Sequence, residues 1–299
     1  MLAFKDIELA DREVILSYTL PSGRRSCDLS FANLMSWRGL FASQWTLWGG
    51  FLLLKWRLGR QSAYTLPVGQ GDLRAVLSQL KDDARHEGMT LRLTGICEEM
   101  VDEVERAMPG RLTFRAERDY ADYVYLRQDL ATLSGRRLQA KRNHVHQFIR
   151  ACPDWRYEPI TPDHIGECLQ LEAAWYEANP TLWHEGADEE RQAVTFALRH
   201  FSELGLTGGL LRTGGRIVAF TFGMPISTDT FGVHAEKADA GVEGAYAMIN
   251  HEFAQRIPQQ YIYVNREEDM GLEGLRKAKL SYHPAMLLSK YMAVENADT

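Results

Sequence analysis

Two short stretches of this sequence carry the residue types that proton transfer needs. His234-Ala235-Glu236-Lys237 ends a β-like run, and strand alternation sends His234 and Glu236 to one face and Lys237 to the other. Moving an acyl group onto an amine or hydroxyl needs a base for the nucleophile's proton and a donor that steadies the tetrahedral oxyanion. Glu236 is the better base by type and His234 the alternative, unless Glu236 merely pairs with Lys279 or Arg276. Glu267-Glu268-Asp269 is a second acidic source. Asp269 suits a helix N-terminus, where the macrodipole favours carboxylates, while Glu267 or Glu268 is free to face a cleft. Glu268 is the third catalytic candidate.

Such groups need rigid elements to hold them, and hydrophobic periodicity supplies these along the chain. Residues Phe4 to Leu20 read as an amphipathic segment, helix first and then extended, stopped by Pro21 and Gly23. A short helix over Leu29 to Trp37, a hairpin about Gly49-Gly50 and a strand at Ala63 to Val68 follow. Next come a helix at Asp72 to Glu87, a strand at Thr90 to Ile96, a helix at Glu98 to Met108, and strands at Leu112 to Arg118 and Asp122 to Arg127. A strongly basic helix runs from Ser134, its expected N-cap, to Arg150, with Leu138, Val145, Ile149 and Cys152 as its apolar stripe. The second half repeats this order of elements, including three strands over Leu206 to Ala235, a helix at Gly244 to Ile257, a strand at Tyr261 to Asn265, a helix at Glu273 to Tyr282 and a last strand at Lys290 to Val294.

Arg142 falls inside the stripe of the basic helix, and a guanidinium on a buried face needs a partner. It is expected to be buried and paired with a carboxylate of Glu267, Glu268 or Asp269. Arg276 and Lys279 share a face with Leu272 and Leu275, which is unusual for a solvated helix. Together with Lys141 and Arg142 they line either a cationic groove for phosphate or an internal salt-bridge network.

With 299 residues, 45% of them apolar, the chain can bury a large core, and two domains are expected. The net charge of -6 argues against a sleeve for nucleic acid, and no DNA partner is expected, although a local basic site is compatible with it. Cys27, Cys97, Cys152 and Cys168 are far apart with no CxxC, which suggests a reduced, cytoplasmic protein without a metal. Charges at Lys5, Asp6, Glu8, Asp11 and Arg12 exclude a signal peptide at this N-terminus, and the apolar run from Trp48 ends at Lys55, short of a membrane span. Peripheral contact with a membrane remains open.

Four blocks carry a family resemblance: Ser30-Phe31-Ala32-Asn33-Leu34; Asp129-Leu130 with Leu133-Ser134-Gly135 and Lys141-Arg142-Asn143-His144; His234 to Ala238 with Gly244-Ala245-Tyr246; and Asn265 to Gly271 with Gly274 to Lys279. Over nearly its whole length the chain resembles a family of bacterial proteins grouped with the C-terminal domain of phosphatidylglycerol lysyltransferases, within the tandem-GNAT superfamily. The resemblance implies an α/β protein, of the α+β type with mixed sheets, built from two tandem GNAT-like acyltransferase domains. These are a first at 1–130, a basic interdomain helix at 131–152 and a second at 153–299 that carries the active site. The membrane-embedded region of full lysyltransferases has no counterpart here, which leaves open whether the acceptor is a phosphatidylglycerol-like lipid.

The resemblance also implies direct acyl or aminoacyl transfer to an amine or hydroxyl, with coenzyme A or aminoacyl-tRNA as the donor substrate and no tightly bound cofactor. In GNAT enzymes the donor's pyrophosphate sits on backbone N–H groups at the start of the helix after the fourth strand, because a helix N-terminus is an anion site and glycine lets phosphate approach. Here that loop is Gly241-Val242-Glu243-Gly244-Ala245-Tyr246. Gly241 and Tyr246 depart from the usual pattern of a basic or amide residue first and a small one last. A glycine turn feeding an amphipathic helix explains the loop equally well. Tyr246 and Asn250, one turn apart, are expected to face the same cleft. The donor-binding set is then Gly241, Gly244, Ala245, Tyr246, Asn250, Lys141, Arg142, Arg276 and Lys279, sized for a small acyl or aminoacyl donor, or for the 3′ end of a tRNA. The rival reading is a catalytically silent protein that binds a phosphorylated ligand or tRNA end in the same cleft.

Overall fold

The computed structural model describes residues 2–178 and 187–297. Its strands are β1 (Lys5–Asp6), β2 (Gln44–Trp48), β3 (Phe51–Leu58), β4 (Gln61–Gly69), β5 (Arg92–Cys97), β6 (Leu112–Ala116), β7 (Asp122–Leu126), β8 (Arg156–Pro159), β9 (Thr207–Thr213), β10 (Arg216–Pro225), β11 (Thr230–Ala238), β12 (Tyr263–Asn265), β13 (Met286–Leu288) and β14 (Lys290–Glu295). They form two mixed sheets. The first has the order β1-β2-β3-β4-β5-β14-β6 and the second β13-β7-β12-β11-β10-β9-β8.

Each sheet contains one parallel pair of strands joined through a long helix. In the first, β4 and β5 pair only at Tyr64 and Thr65, with helix Leu73–His86 between them in sequence. In the second, β11 and β12 pair over Thr230 to Gly232 only, with helix Ala245–Arg256 between them. β11 continues to Ala238, so among the described residues its last six pair with no strand on that side, and the sheet opens there. His234 and Glu236 lie on this splayed part of β11. Two mixed sheets each opened at a parallel pair are two tandem GNAT-like units, as expected.

Sheet membership does not follow the chain's midpoint. β7, which lies in the first 130 residues, pairs with β12 and β13 in the second sheet. β14, at the other end of the chain, inserts between β5 and β6 of the first. The crossing strand β7 carries Tyr123, Val124 and Tyr125, all buried, so both of its faces are covered, which suits the interior of a large sheet. One apolar core joins the units, with Phe31, Met35 and Leu52 from the first packed with Leu198, Phe220 and Phe222 from the second.

Three local expectations change. The N-terminal segment places its strand before its helix, at Lys5–Asp6 and Arg12–Thr19. The basic helix begins late, at Gln139–Ala151, and Ser134 does not cap it; the Ser134 hydroxyl bonds Thr132 instead. Leu133 and Gly135 both take left-handed backbone angles, which breaks the helix before Leu138. The buried stripe then uses Phe148, while Ile149 faces out. Strand β13 was not expected. It is three residues long, too short for a pattern of alternation to register.

At the point where the chain leaves the second sheet for the first, Lys290 opens β14 and is fully enclosed. Its ammonium lies 2.9 Å from Asp28, 2.8 Å from Asp122 and 2.6 Å from Glu268. Burial alone would lower this lysine, but the carboxylates of Asp122, Asp28 and Glu268 outweigh burial and hold it well above the ordinary value. Asp122 in turn is pushed up by burial, against the pull of Lys290. Replacing Lys290 by Met leaves buried carboxylates facing one another. It should cost about 3–5 kcal/mol of stability, read as a drop in the urea midpoint, whereas a solvated lysine would show no change.

Candidate functional site

A cleft of about 1700 Å³ runs between the two units and is floored by the splayed end of β11. One wing is apolar, with Trp37, Leu40, Phe41 and Trp56 from the first unit. The other reaches Trp175, Tyr246 and the loop from Asp239 to Gly244 in the second.

At the centre, side chains from three distant segments form one chain of hydrogen bonds. The His234 ring lies with Nδ1 2.8 Å from a carboxylate oxygen of Glu267 and Nε2 2.9 Å from the Ser30 hydroxyl. An ionised carboxylate can only accept, so Nδ1 donates to Glu267, and Nε2 is left to the Ser30 hydroxyl. Asn33 donates to the same Glu267 oxygen at 2.7 Å. The second oxygen of Glu267 has no hydrogen-bond partner among the described residues, and Glu267 lines the cleft. Its backbone φ of +60° is left-handed, which a side chain bearing a Cβ adopts at a cost. Asn265 Oδ1 accepts from the Glu267 N–H at 2.7 Å, and the Tyr123 N–H donates to its carbonyl at 3.1 Å, so the conformation is held from both sides.

Glu236 is differently placed. Arg266 donates to one of its oxygens at 2.9 Å and Asn250 to the other at 3.2 Å, so both are engaged. Its partner is thus neither Lys279 nor Arg276. Glu268, the third candidate, belongs to the Lys290 cluster; burial would raise it, but Lys290 outweighs burial and lowers it. Cys27 Sγ and oxygens of Asp122 and Glu268 lie within 4.8 Å of one another, a spacing compatible with a metal ion. The cation beside them is the Lys290 ammonium, also 3.6 Å from Cys27.

The basic candidates do not assemble into one groove. Arg142 is half-buried and donates to the carbonyls of Leu133 and Gly135, at 2.7 Å for the latter. Among the described residues no carboxylate pairs with it, and the left-handed turn at 133–135 presents bare carbonyls to it. Arg276 is drawn away from the cleft by Asp269 and Asp119, at 2.8 and 2.7 Å. Lys279 lines the cleft, but its ammonium donates to the carbonyls of Arg266 and Glu268. Lys141 lines it too, with its ammonium 4.1 Å from the centre of the Tyr282 ring. Of the two alternatives, Arg276 enters an internal salt-bridge network, and the cleft lining carries a small excess of acidic over basic residues.

Helix Ala245–Arg256 begins against the basic helix. Gly244 has φ +78°, and a Cβ there would collide with the His144 carbonyl oxygen. Its glycine is therefore required by helix packing. Asp239 takes the Gly241 N–H at 2.8 Å, which puts a carboxylate where a diphosphate would approach. Ala245 is buried, Tyr246 accepts from the Trp175 indole at 2.6 Å and lines the cleft, while Asn250 is buried behind Glu236. In the first unit, the corresponding helix N-terminus is closed by its own Asp72, which accepts from the Ala75 N–H at 3.1 Å.

Sequence reading passed over Ser30, Asn33, Arg266 and Tyr282. The first three sit inside the blocks that carry the family resemblance, and that was the available signal.

Two GNAT-like units around one cleft are the architecture of a tandem GNAT fold. The chain matches the family described as phosphatidylglycerol lysyltransferase, C-terminal, over residues 21–294, and belongs to it. It is similar to a conserved Bacteroides thetaiotaomicron protein of unknown function, with 56% identity, a TM-score of 0.97, and 99% of this chain and 100% of that one covered. The L-PGS structure from Bacillus licheniformis is similar in fold alone, at 15% identity and TM-score 0.68, covering 99% and 94%. An uncharacterised Mycoplasmoides gallisepticum protein is 23% identical over 57% of this chain, which spans about half of that relative, 55% of its length. Among the described residues, no helix is long and apolar enough to cross a membrane.

Asp269 anchors the loop that carries Glu267. It is buried, which alone would raise its carboxyl. Hydrogen bonds from Arg276, Tyr123 and the Gly271 N–H outweigh burial and hold it well below its usual 3.8. A group depressed in the folded state stabilises at pH above its unfolded value, and that contribution is lost as pH falls through its folded value. Asp269→Asn is expected to lower the Tm most near neutral pH, and the gap to the unsubstituted protein should shrink below about pH 4. A gap constant with pH would show that charge at Asp269 is not what holds the loop.

Proposed function

We propose that this protein transfers an aminoacyl group from an activated ester to a hydroxyl or amine acceptor, with Glu267 as the base. The observation that carries this reading is the Glu267 carboxylate, fastened through one oxygen by His234 and Asn33 while the other is open to the cleft. As the acceptor's oxygen or nitrogen bonds to the carbonyl carbon, Glu267 takes its proton. As the tetrahedral intermediate collapses and the donor's C–O bond breaks, the same proton passes to the leaving oxygen. Glu236, with both oxygens engaged, positions Arg266 and Asn250.

The anionic cleft suits a donor whose acyl group carries an ammonium. It suits coenzyme A less well, because Asp239 already takes the Gly241 N–H in the loop that would have to hold a diphosphate. The family's name points to lysyl as the group and phosphatidylglycerol as the acceptor, and the apolar wing with Trp37, Phe41 and Trp56 is consistent with an acceptor that has an apolar part.

The test is transfer of labelled lysine from lysyl-tRNA to phosphatidylglycerol vesicles, run beside acetyl-coenzyme A with an amine acceptor. Lipid-linked lysine is the expected product, and Glu267→Gln should reduce the rate by roughly 10²–10⁴-fold while leaving lysyl-tRNA binding in place. Binding of tRNA without turnover in the unsubstituted protein would favour the silent binder, and acetyl transfer alone would overturn the aminoacyl reading.

A further inference from the structure

Glu172, on helix Ile165–Ala178, is buried with nothing to hold it. The residue is 1% exposed, and neither of its carboxylate oxygens has a hydrogen-bond partner among the described residues. A carboxylate enclosed without donors is strongly disfavoured in its ionised form. Beside it lies Lys237 of β11, whose ammonium is 3.9 Å from Glu172 but 2.8 Å from Glu190 of helix Ala187–Arg199. Lys237 therefore serves Glu190. The same ammonium sits 3.7 Å from the centre of the Trp175 ring, and that indole is fixed by donating to the Tyr246 hydroxyl.

The other ionisable groups around Glu172 do not pair with it. Arg191 lies over the Tyr176 ring, and the Tyr176 hydroxyl donates to Glu190. Cys168, one turn back on the same helix, keeps its proton, because burial pushes the thiol up to about 12. Strand β10 also packs on this helix and has no ionisable side chain between Ile217 and Pro225. Burial pushes the Glu172 carboxyl up to about 7, against the pull of Lys237 and with the charge of Glu190 adding to the rise.

We infer that Glu172 is a proton-operated latch between helix Ile165–Ala178 and the splayed end of β11. Protonated, it leaves the Lys237 ammonium on Glu190. Ionised, with its proton gone to solvent, it draws that ammonium across the Trp175 face onto itself and releases Glu190, which lines the cleft. The ammonium has only the difference between 3.9 and 2.8 Å to travel. The exchange favours Glu172 because an unpaired charge costs more where water is excluded, and its side chain is 2% exposed against 39% for Glu190. As pH rises through neutrality, the wing of the cleft at Trp175 and Tyr246 becomes more negative by one charge and gains a free carboxylate. The latch is independent of the proposed transfer, and its test uses no substrate.

Carbon-13 NMR of the full chain labelled at glutamate Cδ follows both carboxylates from about pH 5 to pH 9. Their signals are assigned by loss in Glu172→Gln and in Glu190→Gln. Glu172 should titrate with a midpoint of about 7, and the Glu190 signal should show a step at the same midpoint. That step should be absent from Glu172→Gln and from Lys237→Met. The Trp175 indole N–H, assigned by Trp175→Phe, should move with it. A carboxyl raised in the folded state contributes stability that is full below its unfolded value of 4.5 and lost as pH rises through about 7. Glu172→Gln copies the protonated form, so its Tm should match the unsubstituted protein near pH 4.5 and exceed it by about 2 °C or more at about pH 8. A Glu172 midpoint in the ordinary carboxylate range, a Glu190 signal without the shared step, or a Tm difference that does not grow with pH would overturn the latch.

Discussion

A single ammonium, that of Lys290, sits where the two sheets meet, and the geometry of the site depends on it. Its three carboxylate partners come from the turn before helix Phe31–Ser36, from the first residue of β7 and from the loop after β12. Those same segments carry Ser30, Asn33 and Glu267. Ser30 and Asn33 lie two and five residues beyond Asp28, and Glu267 directly precedes Glu268. The charge cluster therefore fixes the backbone on which the hydrogen-bond chain to His234 is built. An enclosed cation with several carboxylates is a poor source of net stability and a strong constraint on arrangement, since few other placements satisfy every partner.

This arrangement gives the first unit more than a supporting part. Ser30 and Asn33 belong to it by sequence and pack, Ser30 entirely buried, against a histidine and a glutamate of the second. The Glu267 carboxylate and Asn33, one of its two partners, thus lie on opposite sides of the interface. A shift between the units would lengthen the contacts to Glu267 before it disturbed either sheet. The shared core of Phe31, Met35, Phe220 and Phe222 lies close behind and opposes such a shift.

Much of the fold was legible in the sequence because hydrophobic period and glycine turns mark its elements strongly. The Gly49-Gly50 hairpin, helix Leu73–His86 and β9 to β11 fall within a few residues of their expected positions. Sheet membership was not legible, since β7 and β14 read locally like strands of either unit and only distant pairing decides between them. At the site, residue type pointed to the stretches whose side chains meet in the cleft, but it did not rank the carboxylates within them. Glu236 and Glu267 are alike in composition, and what separates them is that a neighbouring arginine closes one while a left-handed backbone turns the other toward the cleft. Arg142 looked committed to a carboxylate because the left-handed turn at Leu133, with its exposed carbonyls, leaves no mark in a hydrophobic pattern.

The placement of β14 also bears on how the chain is made. The first sheet has a gap between β5 and β6 until residues 290–295 arrive to fill it. During synthesis from the N-terminus, the segments of the first unit therefore emerge long before their own sheet can close, and β7 waits for β12 in the same way. Neither unit is a self-sufficient folding piece of contiguous chain. The first sheet acquires its final hydrogen bonds only after residues 290–295 have emerged and the second only after 286–288, so a nascent chain stalled before residue 286 would hold two unfinished sheets with strand edges exposed to chaperones.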